Sequence, residues 1–161
     1  MIEIRKIGSA YICLSPIKLK GFFGNAQGDK TIFMQEEALY LAEKGKAEIK
    51  KKEKKISIKE IVKRLSERDL ARYIVYKDLR EKGYVAKDGT KFGGDFIVYD
   101  KGKVPGKDHS TWVCLVLGKE KNIKAKEIVK IMRIVHSTAK NLLLAIIDYK
   151  PIYYEVKWKK I

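Results

Sequence analysis

Residues 91–117 read KFGGDFIVYDKGKVPGKDHSTWVCLVL, and the fold turns on how this stretch is divided. Residues 95–99 alternate as a half-buried strand does, residues 100–108 are rich in Gly, Lys, Asp and Pro, and residues 111–117 are β-formers. Two strands around one loop predict a hairpin. Tyr99 at the end of the first strand and His109 at the start of the second then face each other across the loop mouth. A phenol and an imidazole so placed form a candidate acid/base pair.

Outward from this hairpin, the chain after Gly83 reads as strand, an Asp88-Gly89 turn, and strand through Tyr99. Residues 125–136 set Ile128, Ile131, Met132 and Val135 three and four apart while the lysines and Arg133 point elsewhere, which predicts an amphipathic helix. Residues 141–147 are a near-continuous apolar run suited to a strand buried on both faces. Pro151 breaks the chain, and residues 152–158 make a final strand. A mixed sheet with helices against it is the natural packing.

Toward the N-terminus, Ser57-Ile-Lys-Glu60 has capping-box spacing before the stripe Ile58, Ile61, Val62 and Leu65. A second start, Ser66-Glu-Arg-Asp69, opens a helix over residues 70–82 whose apolar side is Leu70, Tyr73, Ile74 and Leu79, and Gly83 stops it. Residues 1–19 hold two short apolar stretches broken by Gly8 and Pro16, which suits a small sheet. From Thr31 the period changes, with Phe33, Ala38, Leu39, Leu41 and Ala42 fitting a helix that ends at Gly45. Residues 47–55 are dominated by lysine and read as an exposed strand or linker. The expectation is an α/β (α+β) chain: a small mixed module over residues 1–65, then a module over residues 66–161 with a central mixed sheet flanked by helices.

The 161 residues carry 36 basic and 20 acidic side chains, net +16, far more than solubility needs. Such a field attracts polyanions and speeds their encounter, so nucleic acid is the leading partner class. No apolar run approaches a membrane span and no signal or lipidation pattern opens the chain, so the expected location is the cytoplasm. Cys13 and Cys114 each fall in an expected strand and read as reduced thiols packed as small hydrophobes. There is no CxxC, HExxH or histidine cluster, so neither a metal nor another cofactor is expected.

A basic protein without metal ligands can still cut RNA, because RNA carries its own nucleophile, the ribose 2′-hydroxyl. A base removes the hydroxyl proton, an acid protonates the departing 5′ oxygen, and a fixed cation stabilises the charge on the phosphorane. Histidine suits the acid and lysine the cation. Tyrosine, ordinarily titrating near ~10, becomes a useful base when positive charge lowers it, and the net field acts in that direction. Composition alone does not single out one lysine, and His136 beside the expected helix end reads as a packing or capping residue.

Several separate motifs in order, YKDLREKGY at 76–84, KFGGDFIVY at 91–99, His109-Ser110, RIVHSTAKNLLLA at 133–145 and YYE at 153–155, resemble the archaeal tRNA-splicing endonuclease family. The resemblance spans residues 68–158, whereas the N-terminal module matches in size and layout. It implies Tyr99 as general base, His109 as general acid and Lys140 as the transition-state cation, giving a 2′,3′-cyclic phosphate and a 5′-hydroxyl without metal. The implied substrate is the bulge-helix-bulge of precursor tRNA, with a bulged base pinched between two flat side chains. Arg133 falls at the first of those positions and Trp158 near the second, where the family often has arginine; an indole can stack on a base.

In the family, an acidic loop before the last strand docks into a basic pocket of a neighbouring subunit. Here that loop is Asp148-Tyr149-Lys150-Pro151, with one acid and one base. The expectation is therefore a heterotetramer with a non-catalytic paralogue that supplies the stronger loop, a homotetramer being the alternative; residues 152–158 are the expected dimer contact. Two rival readings remain. Asp148-Tyr-Lys150 and Glu155-Val-Lys157 both satisfy the D/E-x-K pattern of a PD-(D/E)xK metal-dependent nuclease, and the charge also suits a non-catalytic basic RNA-binding subunit.

Overall fold

The structure is a computed structural model and describes residues 1–119 and 121–161. The chain divides into two compact units, Met1–Tyr73 and Ile74–Ile161. The division falls inside a single helix, Glu67–Glu81.

The first unit contains β1 (Ile2–Ile7), β2 (Ala10–Cys13), β3 (Asn25–Gln27), β4 (Lys30–Phe33), α1 (Gln35–Glu43), β5 (Ala47–Lys51), β6 (Lys54–Lys55) and α2 (Ile58–Lys63), followed by the start of α3 (Glu67–Glu81). The strand order is β3-β4-β2-β1-β5-β6. Only β1 and β5 run parallel, and α1 lies in the connection that reaches the parallel edge, so this sheet is mixed. Both serine helix starts form as their spacing predicts: the Glu60 N–H donates to Ser57 Oγ at 3.2 Å and the Asp69 N–H to Ser66 Oγ at 3.1 Å. One boundary differs. Thr31 and Phe33 belong to β4 and alternate buried with Ile32, so the helix begins only after Met34. Phe33 satisfies a strand and a helical stripe equally well, and pairing with β2 decides between them.

The second unit holds the remainder of α3, then β7 (Val85–Asp88), a 3₁₀ turn (Thr90–Phe92), β8 (Phe96–Tyr99), β9 (Trp112–Gly118), α4 (Ala125–Ser137), β10 (Asn141–Asp148) and β11 (Lys150–Val156). Its order is β11-β10-β9-β8-β7, with β9 and β10 parallel and every other pair antiparallel. That single parallel pair needs a crossover, and α4 provides it.

Residues opposite each other share a face of the sheet. Ile97, Val113 and Leu142 are in one row, and they pack with Ile131 and Val135 of α4. The other face presents Phe96, Val98, Cys114 and Ala145, all fully buried. There the Phe96 ring meets Tyr76 of α3 at 5.8 Å, and the Tyr153 hydroxyl donates to the Asp78 carboxylate at 2.6 Å. Burial and that carboxylate push the Tyr153 phenol far up.

The final strand departs from expectation at both ends. Pro151 lies inside β11, opposite Ile147, and does not break the chain. β11 is an edge strand, where a residue without an N–H is tolerated because one side of the backbone has no ladder to complete. The strand ends at Val156, leaving Trp158 beyond it.

Two glycines fix the approach to β8. A Cβ on Gly94 would lie 2.5 Å from Val113 Cγ1 and 2.9 Å from the Cys114 carbonyl oxygen, and one on Gly89 would lie 2.6 Å from the Phe96 backbone. Between them, the buried Asp95 braces β8 to β9. Its N–H donates to the Cys114 carbonyl at 2.8 Å, and its carboxylate accepts from the Val116 N–H at 2.7 Å.

Candidate active site

Tyr99, the last residue of β8, is 8 % exposed. The β8–β9 ladder ends at the Val98–Trp112 pair, and just before β9 the Thr111 N–H donates to the Val98 carbonyl at 2.9 Å. On the other side of Thr111, the Asn141 N–H donates to the Thr111 carbonyl at 3.0 Å, which sets Lys140 beside it at the entrance to β10. The Thr111 segment thus lies between the end of β8, where Tyr99 stands, and the start of β10, which Lys140 precedes. Strand spacing separates the two outer backbones by roughly 10 Å. Tyr99 comes two residues after Ile97 and Lys140 two before Leu142, and Ile97 and Leu142 pack on the face that α4 covers.

His109 does not stand directly across from Tyr99, as a simple hairpin predicts. It lies in coil two residues before Thr111 and is exposed, because β9 begins only at Trp112. The loop before it is internally tied: the Val104 N–H donates to the Asp108 carboxylate at 2.7 Å and the Asp108 N–H returns to the Val104 carbonyl at 2.8 Å. Ser110, the next residue after His109, is buried.

Lys140 completes the group. The chain leaves α4 through Thr138 and a left-handed Ala139, φ 54°, and the Lys140 N–H caps the helix by donating to the Val135 carbonyl at 2.9 Å. Its ammonium donates to the Ser110 carbonyl at 3.1 Å and lies 5.1 Å from the centre of the Phe92 ring. This bond ties the cation to the residue adjoining His109. Ser110 and Phe92 border this candidate site without being named as functional residues from the sequence; each is marked there only by a motif, His109-Ser110 and KFGGDFIVY.

Two electrostatic features follow from burial. Desolvation holds the Lys140 ammonium below the ordinary lysine value, and burial pushes the Tyr99 phenol up. The second reverses the expectation that the basic field lowers Tyr99: removal of water from a phenolate outweighs diffuse charge that solvent screens.

Arg133 is exposed on α4, one helical turn from His136. Trp158, 54 % exposed, lays its ring against the His136 imidazole with centroids 4.4 Å apart and planes inclined by 35°. Arg133 and Trp158 are therefore brought to one end of α4, the end that delivers Lys140. The histidine that links them is a contact of packing, in keeping with its sequence reading.

The D/E-x-K pairs do not form a common site. Asp148 and Glu155 stand at opposite ends of the β10–β11 ladder. Asp148 pairs with Lys119 at 3.1 Å, and Glu155 accepts from the Trp112 indole at 2.6 Å and pairs with Lys157 at 2.9 Å. Lys157 and then Trp112 hold the Glu155 carboxyl below its usual range. Among the described residues no group of three His, Cys, Asp or Glu side chains is placed to hold a metal ion. Cys13 and Cys114 are free and buried, and burial, with Asp95 second, raises the Cys114 thiol strongly. No helix of the described residues is long and apolar enough to cross a membrane.

Residues 70–154 match the family described as tRNA intron endonuclease, catalytic C-terminal domain, and residues 17–62 match its N-terminal domain. Among curated proteins, the chain is 37 % identical over 146 residues to a tRNA-splicing endonuclease of Thermococcus kodakarensis, covering 88 % of this chain and 85 % of the relative. It is 42 % identical over 133 residues to one of Nanoarchaeum equitans, covering 77 % and 86 %. A third, of Methanothermobacter thermautotrophicus, is 35 % identical over 142 residues, covering 86 % and 84 %.

Proposed function

Because this chain belongs to the tRNA intron endonuclease family and carries its catalytic domain, we propose that it excises introns from precursor tRNA by metal-independent transesterification at both ends of a bulge-helix-bulge. The observation that carries the mechanism is the Lys140 ammonium tied to the carbonyl of Ser110, the residue after His109, at 3.1 Å. In this reading a scissile phosphate is held among the three groups, Tyr99, His109 and Lys140. Tyr99 orients the 2′-hydroxyl and takes its proton in the phenolate form, the 2′ oxygen attacks phosphorus, and Lys140 neutralises charge on the non-bridging oxygens. His109, which is exposed, donates a proton to the departing 5′ oxygen, leaving a 2′,3′-cyclic phosphate and a 5′-hydroxyl. Arg133 and Trp158 stack on a bulged base. Catalysis is assigned to residues 66–161 and assembly to residues 1–65.

Cleavage of a bulge-helix-bulge RNA in excess EDTA is expected to match cleavage in magnesium, with a cyclic phosphate on the upstream product. Activity that disappears on chelation and returns with magnesium defeats the proposed site and restores the PD-(D/E)xK reading.

The assembly reading is a heterotetramer, supported by the turn between β10 and β11. Asp148 pairs directly with Lys150, so only Tyr149, at φ 62° and fully exposed, forms the tip. Its single acid is engaged by Lys119. So short a turn offers a basic pocket on a neighbour little negative charge. The purified chain is expected to sediment below the mass of a tetramer and to reach it when co-expressed with a paralogue bearing an acidic loop. A stable, active tetramer of this chain alone selects the homotetramer.

A further inference from the structure

We propose that the β5–β6 hairpin of the first unit is a second RNA contact, a phosphate-binding finger separate from the active site. Four lysines form its two paired rungs, Lys50 opposite Lys55 and Lys51 opposite Lys54, and Lys52 opens the turn. Like charges directly opposite on a ladder repel. The turn adds strain: Lys52 and Glu53 both adopt left-handed φ, 48° and 63°. A two-residue turn of this hand is ordinarily built from Asn and Gly, which reach that conformation with less strain.

The structure neutralises only part of the hairpin. Lys50 pairs with Glu3 at 2.7 Å, Lys55 with Glu48 at 3.1 Å, and Glu53 with Arg5 at 3.1 Å. Lys51, Lys52 and Lys54 are exposed and have no ion pair among the described residues. A short hairpin that concentrates unpaired lysines at its tip, against both local electrostatics and backbone preference, is stabilised when a chain of phosphates lies along it. Residual local conflict of this kind marks a functional surface. Because the catalytic domain acts on RNA in this proposal, RNA is the polyanion inferred; the inference rests on the proposed function for that choice alone.

The test is binding of a full precursor RNA to the complete chain with any partner subunit, using a 2′-deoxy substitution at each cleavage site to keep the RNA intact. The triple variant Lys51→Gln, Lys52→Gln, Lys54→Gln is expected to bind roughly tenfold or more weakly at ~0.1 M salt, with the slope of log K against log salt smaller by about two. Its melting midpoint is expected to hold or rise, because self-repulsion is relieved. Glu53→Gly, which relaxes the turn and removes the one acid at the tip, is expected to bind at least as tightly as the parent.

Unchanged affinity and slope in the triple variant overturn the proposal, as does weaker binding by Glu53→Gly. If the triple variant binds RNA normally but loses a partner subunit by sedimentation, the finger is a protein contact and the proposal is again wrong. The proposed catalytic site is tested by cleavage, so its failure leaves these binding measurements readable.

Discussion

His109→Ala is expected to cut a bulge-helix-bulge RNA about 10²–10⁴-fold more slowly in single turnover, with the partner subunit present, while binding the RNA as the parent does. As the proposed acid, His109 is required only as the 5′ oxygen departs, so its loss is expected to raise the barrier to chemistry and leave the ground state alone. The surrounding loop does not depend on the imidazole, because Val104 and Asp108 tie it through their own hydrogen bonds and His109 itself is exposed. A substrate with sulfur in place of the 5′ bridging oxygen needs little protonation of its leaving group. On that substrate the variant should recover most of the lost rate. A variant as fast as the parent on the ordinary RNA removes His109 from the mechanism and favours the reading of a non-catalytic RNA-binding subunit; equal loss on both substrates assigns it another role.

Lys140→Met should reduce cleavage to a similar extent, with losses on the order of 10²–10³-fold, and should raise the melting midpoint of the free protein. The opposite signs have one cause. Desolvation depresses the Lys140 pKa, so the charged form is disfavoured in the folded chain relative to the unfolded one. That destabilisation is fully present below the folded-state value and fades as pH rises through it toward the unfolded value. The stability gap between variant and parent should therefore close in alkali. Activity is expected to follow the same titration in reverse, since deprotonation discharges the proposed cation. Tyr99 is shifted up, so its phenolate fraction still grows with pH where Lys140 is already losing charge. An alkaline fall in rate is expected and, on the proposed mechanism, is assigned to Lys140; Lys140→Arg should move that fall upward. A melting midpoint that drops in Lys140→Met, with normal cleavage, removes both claims.

The elements most legible in the sequence were those whose signals are local. Ser57 and Ser66 announced their helices because a hydroxyl accepting from an N–H three residues on needs nothing beyond the segment itself. The 3.6-residue stripe of α4 and the apolar run of β10 were clear for the same reason. Phe33 and Pro151 differ from what their local sequence predicts because each depends on a strand elsewhere: β2 claims Phe33 for a sheet, and an open edge at β11 admits Pro151. The site divides the same way. Tyr99 and His109 stood out as reactive types around one loop, but Lys140 looked like any other lysine and came forward through resemblance to a family. What distinguishes it, partial burial over Phe92 and a bond to the Ser110 carbonyl, exists only after α4 has returned the chain to β9. The direction of the Tyr99 shift was misjudged because net charge is visible in a sequence and local desolvation is not. The meeting of Trp158 with His136 is likewise a product of packing, as no periodicity joins a residue after the last strand to the end of a helix.

The glycines before β8 have a bearing on inheritance. Positions 89 and 94 leave no room for a Cβ against backbone atoms of the sheet, whatever chemistry the sheet supports. A descendant of this chain is free to lose its phenol, imidazole and ammonium and keep the fold, but it cannot readily lose these two hydrogens at Cα. A catalytically silent relative is therefore expected to be better recognised by its paired glycines, and by the aspartate that follows the second of them, than by the side chains of the proposed site.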